Sequence, residues 1–209
     1  SAQMWSDTGF AQGADFERLQ MLDRALVTLG LNRWRSFSYT KSSAGARGIG
    51  QIVGNSYRDL RNQYPRADLP EDNEDGRTDH HTSIKAMIVH TDNEWWAVRD
   101  EAHRAHLLAN ELGRRLFFAA GYNASAGTVV SAIQACGETW RDASCTTLPA
   151  ETRLYLIKYE WIHGVLFDPA FRARVEASVR PALATADQAA REAYEERKAA
   201  LAAASTSTE

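Results

Sequence analysis

The chain has 209 residues, of which 44% are apolar, and it is long enough for one sizeable domain with its own core. Its formal charge of -3 argues against a nucleic-acid partner, which would call for a basic surface. No apolar run approaches the roughly 20 residues that span a bilayer, so we expect no transmembrane segment.

The spacing of apolar residues predicts a mainly helical chain. From Asp15 to Leu31 the apolar residues recur every three or four positions, as on one face of an amphipathic helix. A second helix is expected from Asn55 to Tyr64, with Asn55 or Ser56 as its N-cap. The stretch from Pro65 to Thr78 contains two prolines and an acidic run, which predicts a loop.

Helices also dominate the rest of the predicted structure. Asp79 or Thr82 can cap a helix that continues to about position 90. Another helix begins near position 150 with Glu151 in its first turn, where the helix dipole favours an acid. Pro181 is expected to interrupt the C-terminal region, since proline lacks the N–H that a helix interior needs. No segment alternates convincingly enough to be a long strand.

The composition divides the chain into three parts. Residues 1–14 form an N-terminal segment, residues 15–168 a helical domain, and residues 169–209 a helical extension with a frayed end. The last helix, expected at about 185–203, has only a thin apolar face. That face makes it a candidate for docking a protein partner.

A glycine-rich stretch from Ser42 to Ile52 is the most unusual local feature. Three of the six residues from Gly45 to Gly50 are glycines, and each would cost about 0.5–1 kcal/mol relative to alanine inside a helix. We therefore expect a shaped loop that lets a ligand approach the backbone and places the Gln51 amide beside it. A tight turn between two helices is the simpler alternative.

The chain has two cysteines, Cys136 and Cys145, which flank a polar, loop-like segment. Their separation of nine residues is short enough for a disulfide that closes a local loop. Two free buried thiols are the alternative. A disulfide would indicate an oxidising compartment such as a periplasm.

Three motifs resemble those of the soluble lytic transglycosylase family, whose lysozyme-like domains cut the glycan strands of peptidoglycan. They are G-A-R-G-I-G-Q-I at 45–52, G-Y-N-A at 121–124 and L-P-A-E-T-R-L-Y at 148–155. The stretch 79–86 is similar to the one that precedes the family's middle helix. The motifs follow the family order over about residues 15–166, and the resemblance implies a lysozyme-like helical fold of the goose-type and lytic transglycosylase kind for 15–168.

A glycan offers hydroxyl and acetamido groups, which call for side-chain amides and phenols that donate and accept hydrogen bonds. The resemblance implies that Gln51, Ile52, Tyr122 and Asn123 line sugar subsites, and that Tyr155 lies close to the catalytic acid. The alternatives are that Asn123 only caps a helix and that both tyrosines are ordinary core aromatics.

The catalytic position departs from the family. In the family one glutamate protonates the leaving glycosidic oxygen and then deprotonates the sugar's own 6-hydroxyl, which gives a 1,6-anhydro product. Aligned on the glycine loop, that glutamate falls at Arg33, or at Asn32 or Leu31 if a gap is allowed, and none of these is acidic. Asp23 lies about two helical turns too early, and an arginine cannot act as a general acid near neutral pH.

Three explanations for the missing glutamate stay open. The domain can be a natural pseudoenzyme, the glutamate can have been replaced deliberately, or another acid can have taken over. The acidic loop offers candidates for the last case: Glu71, Asp72, Glu74 and Asp75.

We expect a catalytically degenerate glycan-binding or scaffolding module of the cell envelope, periplasmic or extracellular. The alternative is an active lytic transglycosylase that cleaves the MurNAc-GlcNAc bond with a displaced acid.

No cofactor is expected, and we also expect no metal site. His80 and His81 follow Asp79, but adjacent helical residues point about 100° apart, so a shared metal ion would need further ligands. His103 and His106 have helical spacing, and a solvated helix face explains them better.

Overall fold

The structure is a computed structural model that describes residues 10, 11, 13–98, 104, 107 and 110–206. Over these residues the chain is mainly helical, as predicted. The helices are α1 (Asp15–Asn32), α2 (Gly54–Gln63), α3 (Asn73–Thr78), α4 (His80–Ala97), α5 (Glu111–Ala124), α6 (Ala126–Cys136), α7 (Ala150–Phe167) and α8 (Pro169–Thr206). Short 3-10 turns cover Arg33–Arg35, Pro65–Ala67 and Gly137–Thr139. The described residues contain no strand, and isolated β-bridges join Arg47 to Lys41 and to Ile52.

The start of α2 differs from the predicted one, whereas α4 starts after one of its two predicted caps. Helix α2 begins at Gly54 after Val53, an extended residue whose side chain makes no capping bond, so neither Asn55 nor Ser56 is the N-cap. The helix starts early because the β-bridge at Ile52 holds the chain extended up to this point. Helix α4 starts after Asp79, whose carboxylate accepts a hydrogen bond from the Thr82 N–H at 2.9 Å.

The acidic run is only partly a loop, because its second half forms α3. Asp72 caps this helix by accepting hydrogen bonds from the backbone N–H groups of Glu74 and Asp75, at 2.8 and 3.0 Å. These bonds lower the pKa of the Asp72 carboxyl. Glu74 also forms an ion pair with Arg47. Asp72 and Glu74 therefore have structural partners.

Pro181 does not interrupt the C-terminal region, contrary to the prediction, and α8 continues through it. Alanine-rich sequence surrounds the proline, and alanine has the highest helix propensity. The side chains of residues 183–199 are exposed. Docking of a partner by this segment stays a prediction, and residues 207–209 of the expected frayed end lie outside the described residues.

Contacts divide the chain into two units. The terminal unit comprises residues 1–22 and 160–209, and the central unit comprises residues 23–159. In the terminal unit, seven buried side chains share one core, and they come from both ends of the chain: Phe10, Met21, Leu22, Trp161, Val165, Val175 and Val179. The Trp161 indole also donates a hydrogen bond to Asp15 at 3.0 Å.

The central unit has two clusters of buried side chains. The first is centred on Phe117 and Ala120 of α5 and includes residues of α6 and α7. The second contains Ile52, Tyr57, Leu60, Leu69 and Ala86. Cys136 and Cys145 are joined by a disulfide at the end of α6. None of the helices described here is both long and apolar enough to cross a membrane.

Candidate functional site

The glycine-rich loop is a series of tight turns in the central unit. Gly45 and Gly48 adopt φ angles of 80° and 70°, in the left-handed region that favours glycine. Backbone hydrogen bonds close the turns, among them Gly48 N–H to the Thr40 carbonyl at 3.1 Å. The stretch is thus a loop, as expected, and the approach of a ligand to its backbone stays a prediction.

Two glycines allow close approaches that a side chain would block. A methyl group on Gly48 would overlap the carbonyl oxygen of Arg77. A methyl group on Gly50 would lie 2.8 Å from the Ser83 hydroxyl, which accepts the Gly50 N–H at 3.1 Å. The loop therefore packs directly against the end of α3 and the first turn of α4.

Arg77 holds the loop from the inside. Its guanidinium is buried and donates hydrogen bonds to the carbonyls of Gly45 at 2.9 Å and Ile52 at 3.1 Å. It also donates to the Asn73 carbonyl within α3 at 2.8 Å. Burial lowers the pKa of Arg77, and the neighbouring charge of Arg47 lowers it further, but an arginine in a protein stays protonated.

The structure places Gln51 and Ile52 differently from each other. Gln51 is exposed, and its amide nitrogen donates to the carbonyls of Gly48 at 2.8 Å and Thr40 at 3.3 Å, whereas its side-chain oxygen takes part in neither bond. Ile52 was predicted to contact substrate, but its side chain lies in the second core cluster and is 3% exposed. Its hydrophobic side chain gains more from this burial than from a polar ligand.

Tyr122 connects α5 to the glycine loop. Its hydroxyl donates a hydrogen bond to the Gly50 carbonyl, and its ring lies 5.1 Å from the His90 ring. Burial raises the pKa of Tyr122, and nearby Tyr155 raises it further. The hydroxyl is thus neutral and already used in joining two of the three motifs.

The third motif contacts the second through Asn123. This exposed residue accepts a hydrogen bond from the hydroxyl of Thr152 at 2.7 Å, and Thr152 itself is buried. Ser125 is the N-cap of the following helix, so Asn123 is not a helix cap. Tyr155 is half-buried one turn after Thr152 and packs against the first core cluster.

The segment where the family's glutamate is expected is solvent-exposed. Leu31 has 79% of its surface exposed, and Asn32 and Arg33 are also exposed. The Asn32 amide donates to the Thr28 carbonyl at 3.1 Å, and Arg33 takes a φ of 47° in the 3-10 turn. Asp23 is exposed on α1. The structure gives none of these residues a contact with the glycine loop.

A buried carboxyl lies behind Tyr122 instead. Glu94 of α4 is 8% exposed and is the one acidic residue among the buried polar side chains that the structure describes. It accepts the Ala126 N–H at the start of α6, and its other oxygen lies 3.6 Å from Nδ1 of His90. Burial raises the pKa of Glu94, while the Ala126 N–H and the His90 charge oppose this rise.

The histidine pairs offer no metal site in the described part of the chain. His80 is buried, and its Nε2 contacts the Ser36 carbonyl. No cluster of three or more candidate metal ligands is found among the described residues. His103 and His106 lie outside those residues.

Three buried polar residues that the sequence analysis does not assign to the site make hydrogen bonds in this region. They are Arg77, Glu94 and Thr152. The spacing of His90 and Glu94 by four residues is a visible signal, because such residues share one helix face. Nothing in the sequence shows that this face is buried.

No protein-family model matches the chain, and no match was found among curated proteins or solved structures. The family resemblance therefore stays a prediction based on the three motifs.

The two loop glycines provide a matched test of the close packing. Gly45→Ala should cost about 1–2 kcal/mol of unfolding free energy, because its φ is unfavourable but its surroundings are open. Gly48→Ala should cost about 1–3 kcal/mol more, because its methyl group also overlaps Arg77. Urea unfolding measures both values, and equal losses would contradict the packing described here.

Glu94 should make stability depend on pH with a defined sign. Its pKa is raised in the folded state, so the folded state holds the proton more tightly than the unfolded state does. Relative to Glu94→Gln, the parent protein should lose stability as the pH rises above 4.5, the ordinary pKa, until the raised pKa is passed. Each pH unit between the two values corresponds to about 1.4 kcal/mol.

Urea unfolding from pH 4 to pH 8 measures this difference. Glu111→Gln, at an exposed position of α5, is the matched control and should leave the pH dependence unchanged. If the unfolding free energies of the parent and of Glu94→Gln changed with pH in parallel, the pKa of Glu94 would be the same in the folded and unfolded states. That result would contradict the prediction.

Proposed function

We propose that the central unit is a lysozyme-like module that binds the glycan strands of peptidoglycan and is catalytically degenerate. The observation that carries the proposal is the convergence of three motifs that are far apart in sequence. The Tyr122 hydroxyl bonds to Gly50 of the first motif, and Asn123 bonds to Thr152 of the third.

Two exposed amides are the groups best suited to contact the glycan. The hydrogen bonds of Gln51 use its amide nitrogen and not its side-chain oxygen, and the bond of Asn123 to Thr152 uses its side-chain oxygen and not its amide nitrogen. Together they offer one acceptor and one donor, which complement an acetamido or hydroxyl group. Tyr122 acts as a positioning residue, because its hydroxyl is held by the Gly50 carbonyl.

Catalytic degeneration explains why the segment from Leu31 to Arg33 contains no acidic residue. A general acid must reach the glycosidic oxygen directly or through one water molecule. This segment presents an apolar, an amide and a guanidinium side chain, all exposed, and no carboxyl. A binding or scaffolding role in the cell envelope needs the exposed amides but not the acid. The proposed location is periplasmic or extracellular, where the Cys136–Cys145 disulfide would persist.

Sedimentation with purified sacculi tests the binding proposal. The parent protein should pellet with sacculi, and Gln51→Ala combined with Asn123→Ala should bind about 2- to 10-fold more weakly for each hydrogen bond lost. Asn62→Ala combined with Gln63→Ala is the matched control, because it removes an exposed asparagine and glutamine from α2. If the parent protein stays in the supernatant, or if both double variants pellet equally, the proposal fails.

A second candidate function is an active lytic transglycosylase with Glu94 as the displaced acid. The observation that favours it is a buried carboxyl with a raised pKa, which keeps a proton available closer to neutral pH. His90 joins this carboxyl to the ring of Tyr122.

Digestion of the same sacculi distinguishes the two candidates. An active enzyme would release 1,6-anhydromuropeptides, detected by mass spectrometry, and Glu94→Gln would abolish the release while leaving sedimentation unchanged. The glutamine can still accept the Ala126 N–H, so α6 keeps its cap. The degenerate module should release nothing above background. Equal release by the parent and the variant would exclude Glu94 as the acid.

A further inference from the structure

A shallow, open cleft lies between α4 and α5 in the central unit, and none of the motifs includes its residues. Its volume is about 430 Å³, within the range of small-molecule sites. Among the described residues, five side chains line it: Thr91, Asp92, Trp95, Arg114 and Phe118.

One part of the lining is aromatic. The rings of Trp95 and Phe118 are 5.8 Å apart between centroids and are inclined by 46°. Both residues are partly buried and pack against the first core cluster, which fixes their positions. They give the cleft a rigid apolar surface against which a hydrocarbon or aromatic group can pack.

The other part of the lining carries two opposite charges that do not pair with each other. Asp92 and Arg114 line the same cleft, yet no ion pair joins them, and Arg114 has no carboxylate partner among the described residues. The Tyr64 hydroxyl donates to one oxygen of Asp92 at 3.0 Å and orients this carboxylate. The second oxygen of Asp92 stays available to a ligand.

We propose that this cleft binds a short peptide with a free amino group, a free carboxylate and an apolar side chain. The guanidinium of Arg114 suits a carboxylate, with which it can form two parallel hydrogen bonds. The carboxylate of Asp92 suits an ammonium group, and the aromatic surface suits the apolar side chain.

The two charges also exclude simpler ligands. A lone anion bound at Arg114 would lie near the negative Asp92, and a metal ion at Asp92 would lie near the positive Arg114. A neutral sugar would leave both charges uncompensated.

Fluorine NMR on protein labelled with 5-fluorotryptophan tests this assignment, with alanyl-phenylalanine as the probe. Trp95→Phe identifies the Trp95 signal, and exposed Trp96 is the internal control because it does not line the cleft. The free dipeptide should shift the Trp95 signal in a saturable manner and leave that of Trp96 in place. Acetylating its amino group, or amidating its carboxylate, should each weaken binding about two- to fivefold.

Two variants assign the charges. Asp92→Asn should remove the advantage of the free over the acetylated peptide, and Arg114→Gln should remove the advantage of the free over the amidated peptide. Glu111→Gln, an exposed neighbour on α5, should keep both advantages.

Three results would overturn the assignment. They are no saturable Trp95 shift in the millimolar range, equal binding of blocked and free peptides, or a Trp95 shift with N-acetylglucosamine oligomers but not with the peptide. All three titrations are made on the parent protein, and the Trp95→Phe variant serves only to assign the Trp95 signal. Failure of sacculus binding leaves this proposal intact, because the cleft and the glycine loop are separate.

Discussion

The buried guanidinium of Arg77 is the constraint on which the central unit depends. It donates hydrogen bonds to two carbonyls of the glycine loop, those of Gly45 and Ile52, while its own backbone occupies the space beside Gly48. A buried carbonyl without a donor costs about 1–3 kcal/mol, and a buried charge without acceptors costs more. The loop and the side chain therefore need each other. Alanine at position 48 would push against backbone, which cannot move aside as a flexible side chain can.

The loop that Arg77 holds is in turn the contact point for residues of the other motifs. Tyr122 reaches the Gly50 carbonyl from α5, and Thr152 orients Asn123 from α7. Most of the polar groups in the three motifs are thus used in holding the motifs together, and Gln51 and Asn123 remain exposed. This division between positioning groups and exposed amides agrees with a binding role, since a binding surface needs preorganised contacts but no proton transfer.

How much could be predicted varies with the kind of signal. Helix α1 begins at Asp15, and α4 is capped by Asp79, because apolar spacing and N-cap chemistry are local properties. Local sequence signals did not predict the N-cap of α2 or the continuation of α8 through Pro181. The β-bridge at Ile52 holds the chain extended before α2, and α8 continues past a residue that ordinarily ends a helix. The burial of the Ile52 side chain was not predicted, because it depends on neighbours in space that make it a core residue.

By itself the sequence determined the helical class, the shaped glycine loop and the absence of a carboxyl from Leu31 to Arg33, since residue type, spacing and composition are sufficient for each. The tertiary structure alone decided that Phe10 shares a core with α8, that Glu94 is buried beside His90, and that Asp92 and Arg114 face one cleft. These facts depend on which helix faces meet. That is set by the packing of residues far apart in the chain, and no local pattern records it.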